Sequence, residues 1–429
     1  MKNICIYFQL HQPYSLKRYR FFEIGQDHYY YDDFRIEDEI RELAQKSYLP
    51  SNATIAEIIK NSNGKFRCAF SISGTALEQL EQYAPEVIDS FKALAKTGAV
   101  EFLAEPYAHS LASVYDADEF KRQVQMHADK IEALFGKKPT ALRNAELIYS
   151  DEIGEMVSKM GYKTMLIDEA RHILGWKSPN YLYTHSYLPK LKLLVRNLKF
   201  SDDISFRFSN PSWSDFPLTA EKYVDWLANL PDDEKIINIW MGYEAFGVYQ
   251  QQETGIFNFM KAFPYYAMER QMNFILPSEA TKKLDDAGAL SIPYPISWSG
   301  HEKDLSPWNG NDLQQEALQK LYAVTERVNM ATDKPLLHDW LLLQTTDYFR
   351  YMSHKDTYRS HYESPYDAFI NYMNVLADFL ERVDAQYPTT IENEELNALL
   401  KTINNQDAEI EKLEKEIKKL KTAKKTVTT

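Results

Sequence analysis

The segment NICIYFQLHQP at residues 3–13 decides the fold, because an apolar strand-like run ends there in a polar pair, His11 and Gln12. Six more runs rich in Val, Ile, Leu or Phe follow it along the chain, and helix-length stretches separate most of them. The seven runs are residues 3–9, 65–72, 100–104, 140–144, 163–167, 192–196 and 235–241. Buried strands that alternate with helices are typical of a parallel sheet covered on both faces.

Polar residues stand just beyond the carboxyl ends of several runs. They are His11, Gln12, Glu105, Glu146, Asp168 and Glu169. In a β/α barrel this rim is where active sites are built. We therefore predict an α/β fold in which residues 1–300 form an irregular seven-stranded (β/α)7 barrel. An open doubly wound sheet would show the same alternation, but the sequence lacks the glycine-rich phosphate loops GxGxxG and GxxxxGK.

Helical periodicity replaces the strand pattern after residue 300. Residues 301–390 are predicted to form a helical domain packed on the barrel, and residues 391–429 a coiled-coil helix with a disordered end. The seam of that helix repeats at alternating spacings of three and four, at Leu396, Leu399, Ile403, Gln406, Ile410, Leu413, Ile417 and Leu420. This pattern favours a parallel two-stranded coil, and hence a homodimer through residues 394–422. A single amphipathic helix folded back on its own domain is the alternative.

The charge balance excludes some classes of partner. A net charge of −13 and a pI near 5.4 argue against nucleic acid and anionic membranes, which both attract basic faces. Cys5 and Cys68 are predicted to be core thiols, since two cysteines cannot form a disulfide framework. We find no signal cleavage site and no apolar stretch of about 18 residues, so we expect a cytoplasmic protein. The aromatic content of 14% fits sugar stacking as well as a large core.

The strand-end carboxylates, Glu146 above all, suggest glycoside hydrolysis. A retaining mechanism needs one carboxylate that attacks the anomeric carbon and a second acid that protonates the leaving oxygen, about 5–5.5 Å away. One carboxylate alone is insufficient. A glutamate at a strand end can equally form a structural salt bridge, so Glu146 by itself does not decide between the two roles.

Five segments, in chain order, resemble the motifs of the α-amylase-like enzymes of glycoside hydrolase family 57. HQP at residues 11–13 matches the opening motif, EFLAEPYAHS at 101–110 the second, and LRNAELIYS at 142–150 the motif that carries the nucleophile, here Glu146. PISWSGHEKDLSPWNGN at 295–311 and LLLQTTDYFRYM at 341–352 resemble further amylase segments, so the match spans residues 4–375. The candidate substrate-binding residues are His11, Gln12, Glu105, His109, Trp240, Tyr243, Phe246, Trp298 and Asp347.

The resemblance implies a seven-stranded barrel with a helical domain, action on α-glucans such as maltooligosaccharides with retention of configuration, and no required cofactor or metal. The sequence departs from the family pattern at the fourth motif. The family reads like WMDYETFG there, whereas this chain has WMGYEAFG at residues 240–247, so Gly242 stands at the acid position. Loss of a general acid costs about 10²- to 10⁴-fold in rate for that role alone. An acidic residue is also missing near Gly300, and Tyr348 stands where the family has histidine.

Three classes of function stay open at this point. The first is an α-glucan-binding protein of carbohydrate metabolism whose hydrolysis is lost or much reduced. The second is an active hydrolase or glucanotransferase with a substitute acid such as Glu244, which shares a strand face with position 242. The third is a metal-dependent deacetylase, which the ligand pattern disfavours because none of the ten histidines forms an H-x₃₋₅-H pair. Structural roles are open too: His11 can cap the first strand, and His109, Trp240 and Trp298 can be packing residues.

Overall fold

The structure, a computed structural model, describes residues 1–355 and 360–386, together with positions 399, 400, 402, 403, 405, 406, 409, 410, 412, 413 and 417 of the tail. Its described residues form an α/β fold with ten strands. The strands are β1 Asn3–Leu10, β2 Cys68–Ile72, β3 Val100–Phe102, β4 Ala141–Arg143, β5 Thr164–Ile167, β6 Leu182–His185, β7 Lys192–Val195, β8 Ile236–Gly242, β9 Asn273–Phe274 and β10 Ala289–Leu290.

Helices cover the strands and form the carboxyl-terminal region. They are α1 Asp33–Leu43, α2 Leu49–Asn61, α3 Gly74–Tyr83, α4 Pro85–Lys96, α5 Ala112–Tyr115, α6 Ala117–Phe135, α7 Asp151–Lys159, α8 Arg171–Leu174, α9 Leu198–Asp202, α10 Ala220–Ala228, α11 Ile256–Glu269, α12 Pro277–Lys283, α13 Ser306–Asn309, α14 Asp312–Tyr322, α15 Thr325–Met330, α16 Lys334–Leu343, α17 Thr346–Tyr351 and α18 Pro365–Gln386. A π-helical turn, Ala44–Tyr48, joins α1 to α2, and short 3₁₀ turns follow β4 at Ala145–Leu147 and β8 at Tyr243–Ala245.

Local sequence signals explain where these helices begin and end. The carboxylate of Asp116 accepts hydrogen bonds from the amides of Asp118 and Glu119 and so caps the start of α6. The same helix ends at Gly136, whose left-handed backbone (φ +80°) suits glycine. None of the helices in the described part of the chain combines the length and hydropathy that a bilayer span requires.

All seven predicted runs contain a strand, with ends that differ from the prediction by three residues or fewer. The strands pair as two sheets, in the order β3–β2–β1–β8, with β9 also pairing β1, and β10–β6–β7–β5–β4. Three short strands, β6, β9 and β10, were not predicted. The prediction of a purely parallel arrangement was wrong in one place, because β6 pairs with β7 in antiparallel fashion as the two arms of one hairpin.

Two isolated parallel bridges connect the two sheets. Ala104 pairs with Leu142 between β3 and β4, and Arg196 pairs with Asn238 between β7 and β8. Seven strands therefore follow one another in a circuit, although the continuous ladders form two sheets and not one closed barrel. The circuit is irregular at two places, between β3 and β4 and between β7 and β8, where a single bridge replaces a continuous ladder of hydrogen bonds.

The core follows the alternation of side chains along the strands. In β1, Cys5 and Tyr7 face the interior between the sheets, where they join Leu103, Leu166 and other residues. The alternate residues of β1 pack on the covering helices. Cys5 and Cys68 are buried free thiols, as predicted. A further cluster joins the second sheet to the helices after residue 305, so that region shares its core with the strands.

A buried carboxylate ties α18 to the segment before α1. Asp378 is fully buried and accepts hydrogen bonds from the backbone amide of Gly25 (2.7 Å) and the hydroxyl of Tyr30 (2.6 Å), and it pairs with the His28 ring (2.9 Å). Burial opposes ionisation, but these partners lower the pKa of Asp378 below its usual value. The ionised carboxylate of Asp378 therefore holds α18 against the segment at residues 25–30.

The coiled-coil prediction for residues 394–422 falls mostly outside the described residues. The described seam positions Leu399, Ile403, Ile410, Leu413 and Ile417 are helical and 43–57% exposed. Self-association through this seam stays a prediction.

Asp378→Ala is expected to lower the free energy of unfolding by about 2–3 kcal/mol, because the buried hydroxyl of Tyr30 and the partly buried amide of Gly25 lose their acceptor. Asp384→Ala is the matched control, because Asp384 lies on the same helix as Asp378 and pairs with Arg327 of α15 at a solvent-exposed site. Exposed pairs of this kind contribute about 0–1 kcal/mol. Urea unfolding followed by tryptophan fluorescence measures both. Equal losses in the two variants would contradict the anchoring role of Asp378.

Candidate active site

Two residues with strained backbones place the candidate catalytic groups beyond β3 and β4. His109 has φ +53° and Glu146 has φ +54°, in the left-handed region that few non-glycine residues adopt. Such conformations cost about 1–3 kcal/mol each and persist only where surrounding contacts hold them. The sequence does not indicate these backbone conformations. They bring the His109 and Glu146 side chains together beyond the carboxyl ends of β3 and β4.

Glu146 is held by three hydrogen-bond donors and is only 7% exposed. Its Oε1 accepts from His109 Nε2 (3.2 Å) and from the Thr346 hydroxyl (3.0 Å), and its Oε2 accepts from Trp298 Nε1 (2.5 Å). Burial opposes ionisation of this carboxyl. The hydrogen bond and charge of His109, the charge of Arg350 and the Trp298 bond nevertheless lower the pKa of Glu146 well below its usual value. Glu146 is therefore an anion at neutral pH.

His109 lies between two carboxylates and is fully buried. Its Nδ1 donates to Glu105 Oε2 at 2.9 Å, and its Nε2 donates to Glu146. Burial opposes the charged ring, but the two carboxylates outweigh it and raise the pKa of His109 to about 9. The arrangement fixes an imidazolium between two anions and thereby orients Glu146.

The charges behind Glu146 are themselves supported. Glu105 is fully buried, accepts from the Ser71 hydroxyl at 2.9 Å and lies 3.5 Å from Arg143 Nη1. Burial opposes its ionisation, but His109 and Arg143 lower the pKa of Glu105 to about 2. Arg143 also donates to the side-chain oxygen of Gln9 at 2.7 Å. The site is thus a continuous buried network that leads from the strand interior to the Glu146 carboxylate.

His11 belongs to a second, adjoining pair. Its Nε2 lies 2.8 Å from Asp347 Oδ2, its Nδ1 lies 2.8 Å from the Ser73 hydroxyl, and its ring stacks on that of His109 with centroids 4.1 Å apart. Burial and then the positive charge of His109 lower the pKa of His11, against the opposing effect of Asp347. Two stacked rings therefore differ in charge, with the proton on His109 and a neutral ring at His11.

These groups open onto a cavity of about 540 Å³ at the carboxyl ends of the strands. Two indoles form part of its wall, Trp240 and Trp298, with ring centroids 5.5 Å apart. Trp240 lies between two guanidinium groups, those of Arg143 at 5.4 Å and Arg196 at 4.8 Å. Cation–π contacts of this kind help to fix the plane of the ring.

Position 242 has no side chain, and the carboxyl of Glu244 lies beside it. A Cβ at Gly242 would be 3.2 Å from Glu244 Oε2. Glu244 Oε1 accepts from the hydroxyl of Tyr48, in the π-helical turn, at 2.6 Å. Burial raises the pKa of Glu244 to about 7, and the Tyr48 bond opposes part of that rise. Glu244 and Glu146 both line the cavity, so one wall carries an anionic carboxylate and another a carboxyl that is half protonated near pH 7.

The structure places the predicted site residues in three groups. Those that line the cavity are His11, Gln12, Glu146, Trp240, Gly242, Glu244, Trp298 and Asp347. Glu105 and His109 lie behind Glu146 and support it. Tyr243 and Phe246 lie in the hydrophobic core around Phe8, outside the residues that line the cavity. Tyr243 and Phe246 leave the cavity face because a 3₁₀ turn, Tyr243–Ala245, follows β8.

Several residues at this site were not predicted from the sequence. They are Tyr48, Arg143, Arg196, Thr346 and Arg350. Arg143 and Arg196 end buried strands, and a basic residue at such a position was a usable signal. Tyr48 had none, because it reaches Glu244 only through tertiary packing.

No group of three or more His, Cys, Asp or Glu side chains in the described residues is arranged to hold a metal ion. His11 and His109 are instead bonded to Asp347, Glu105 and Glu146. The deacetylase alternative therefore gains no ligand set from the described part of the chain.

Glu146→Gln is expected to lower the pKa of His109 from about 9 by about 1 to 3 pH units, because one of its two anionic partners becomes neutral. An NMR titration of the histidine rings measures it. Glu78→Gln is the matched control, since Glu78 contacts His338 at 3.0 Å and its loss should lower the pKa of His338 alone. An unchanged His109 in Glu146→Gln would contradict the bridged imidazolium.

The comparisons with known proteins agree with this geometry. The family model described as glycosyl hydrolase family 57 matches residues 5–293. A putative alpha-amylase from Methanocaldococcus jannaschii is 36% identical over 400 residues, which cover 88% of this chain and 84% of that protein.

Solved structures share the fold at low identity. A family 57 branching enzyme from Thermococcus kodakaraensis superimposes with a TM-score of 0.68 at 13% identity, over 93% of this chain and 94% of that one. A 4-alpha-glucanotransferase from Thermococcus litoralis superimposes with a TM-score of 0.65 at 15% identity, over 87% of this chain and 59% of that one. With two thirds of its length matched by the family model, this chain belongs to glycosyl hydrolase family 57 as an α-amylase-like member.

Proposed function

We propose that the cavity binds α-glucans such as maltooligosaccharides, with Glu146 at the nucleophile position, and that hydrolysis of unmodified glucans is lost or much reduced because position 242 is glycine. One observation carries this proposal. Glu146 is ionised, held by three donors and open to the cavity, whereas the acid position offers no proton donor of its own. Half of a retaining pair is therefore in place.

The lining of the cavity suits a sugar. Trp298 lines the cavity and is only partly buried, so it offers apolar ring surface on which the C–H face of a pyranose ring can stack. His11, Gln12 and Asp347 add polar groups around the same space.

The absent acid affects the two steps of a retaining reaction in different ways. Departure of a poor leaving group, such as a sugar hydroxyl, needs a proton from the general acid. Without that acid the rate of this step falls about 10²- to 10⁴-fold. Hydrolysis of the glycosyl-enzyme needs the same residue as a base, so that step is slow as well. A good leaving group requires no proton and restores only the first step.

We further propose that the two isolated bridges complete an irregular seven-stranded barrel over residues 1–300. The helical part would then be residues 301–390, and the tail at 391–429 would pair two copies of the chain. The circuit of seven strands and the exposed seam support these assignments.

Gly242→Asp is expected to raise kcat/KM for maltoheptaose by about 10²- to 10⁴-fold, because it restores a carboxyl at the acid position. The backbone accepts the change, since Gly242 has φ −61° and ψ 141°, a region open to any residue. Glu244 must shift by only a few tenths of an ångström to admit the new Cβ. Reducing-sugar release measures the rate.

The control is Gly242→Asp combined with Glu146→Gln, in which the gained activity should disappear. Gly242→Asn tests shape without acidity and should gain nothing. Wild type that hydrolyses maltoheptaose at ordinary enzyme rates would contradict the loss of activity, and a gain that survives Glu146→Gln would remove Glu146 from the nucleophile position.

A substitute acid is the second candidate, and the position of Glu244 favours it. Its carboxyl lies beside the space that a side chain at 242 would fill and has a pKa raised to about 7. A group of this pKa carries a proton through part of the neutral range and can donate it to a leaving oxygen. The chain would then be a slow α-glucan hydrolase or glucanotransferase.

If Glu244 is the acid, kcat/KM falls as the pH rises through about 7, because the protonated form is the active one. Tyr48→Phe removes a bond that favours the ionised form, so this alkaline limb should move to higher pH. Glu244→Gln should lower turnover of maltoheptaose by about 10²-fold or more, and with a maltooligosyl fluoride it should leave the initial burst of fluoride nearly unchanged while the later hydrolysis step is slowed.

Glu253→Gln is the matched control, since Glu253 is exposed and lies outside the cavity. It should change neither rate nor pH profile. A limb that stays in place in Tyr48→Phe, or equal turnover in Glu244→Gln and wild type, would reject the substitute acid.

A further inference from the structure

A second cavity lies at the opposite end of the strands from the candidate active site. It has a volume of about 940 Å³ and includes Thr140, just before β4, Lys163 and Thr164 at the start of β5, and Lys192 at the start of β7. Parts of α6 and α12 complete its wall. Because β5 separates the two ends by about 10–13 Å, this space is distinct from the glucan cavity.

The charge of the lining is unlike that of the rest of the chain. Six lysines line the cavity and none of its described lining residues is Asp or Glu, although the chain has 62 acidic residues against 49 Lys and Arg. We call this surface the basic trough, defined by Lys121, Lys138, Lys163, Lys190, Lys192 and Lys282. In a protein of net charge −13 the trough is a local reversal of sign.

The lysines of the trough are weakly neutralised. Lys192 pairs with Asp286 at 2.5 Å, while Lys121 and Lys138 pair with carboxylates of α6 at 2.9 and 3.9 Å through largely exposed side chains. Pairs of the exposed kind contribute little. Lys163, Lys190 and Lys282 have no carboxylate within ion-pair distance among the described residues. Half of the cations are thus available to a ligand.

Hydroxyl groups accompany these cations. Thr140 and Ser278 line the trough, as do Thr164 and Thr281, whose hydroxyls bond each other. Lysine ammonium groups and hydroxyl donors together recognise phosphate oxygens, whereas a single carboxylate needs only one or two cations. The volume falls within the range of small-molecule sites.

We propose that the basic trough binds a small molecule that carries several phosphate charges, such as a di- or triphosphate group. Several separated cations around one concave space match an anion of high charge and not a monovalent one. The trough does not depend on the glucan cavity or on the fate of the acid at position 242.

The test uses inorganic tripolyphosphate as the probe, titrated into the full-length protein by calorimetry at low ionic strength and at 150 mM salt. Wild type should bind with a saturable one-to-one stoichiometry, and Lys163→Gln combined with Lys190→Gln should weaken binding about tenfold or more. Higher salt should weaken binding in wild type too, since a Debye length of about 8 Å screens an open site.

The control combines Lys60→Gln with Lys65→Gln, which removes the same charge from exposed lysines outside the trough. It should leave the affinity within about twofold of wild type. Maltoheptaose should neither compete with tripolyphosphate nor alter its stoichiometry. Absence of saturable binding, equal loss in both double variants, or competition by maltoheptaose would overturn the proposal.

Discussion

The buried chain of charges Glu105, His109 and Glu146 is the constraint on which the rest of the site depends. Three ionised side chains in a protein interior are tolerated only when each is paired and hydrogen-bonded, because an unpaired buried charge costs several kcal/mol. Here Ser71 and Arg143 satisfy the inner end, while Thr346 and Trp298 satisfy the outer one. The strained backbones of His109 and Glu146 follow from this requirement, since the pairing needs both side chains turned inward.

Much of the fold was predictable from the sequence, for a physical reason. Strands buried on both faces leave continuous apolar runs, and all seven such runs became strands. β6 escaped because LYTH at residues 182–185 mixes polar and apolar residues and pairs in a hairpin. The cavity residues that follow strand ends were also accessible, since position along a parallel strand fixes which rim a residue reaches.

What the sequence could not predict depends on turns and on tertiary packing. The 3₁₀ turn after β8 sends Tyr243 and Phe246 into the core, although their neighbours Gly242 and Glu244 line the cavity. The bond from Tyr48 joins residues 196 positions apart in the chain. The tail is the reverse case. Its periodic pattern is plain in the sequence, and pairing of the seam with a second copy of the chain stays a prediction.

The nucleophile side and the acid side of the site follow different logic. His109, Thr346 and Trp298 hold Glu146 as an anion in one position. This arrangement fits a role that requires charge and position together. The acid side, as proposed, has no side chain at Gly242 and offers only Glu244, a buried carboxyl whose pKa is raised to about 7. Binding of an α-glucan needs the first side alone, whereas turnover needs both.

Covalent trapping tests the role of Glu146 most directly. A 5-fluoro-α-maltooligosyl fluoride carries a leaving group that needs no proton, so a competent nucleophile forms a glycosyl ester even without an acid at position 242. Intact mass spectrometry with peptide mapping should show one sugar adduct per chain, located on Glu146 and absent from Glu146→Gln. An unlabelled wild-type protein, or an adduct on another carboxylate such as Glu244, would contradict Glu146 as the nucleophile of this site.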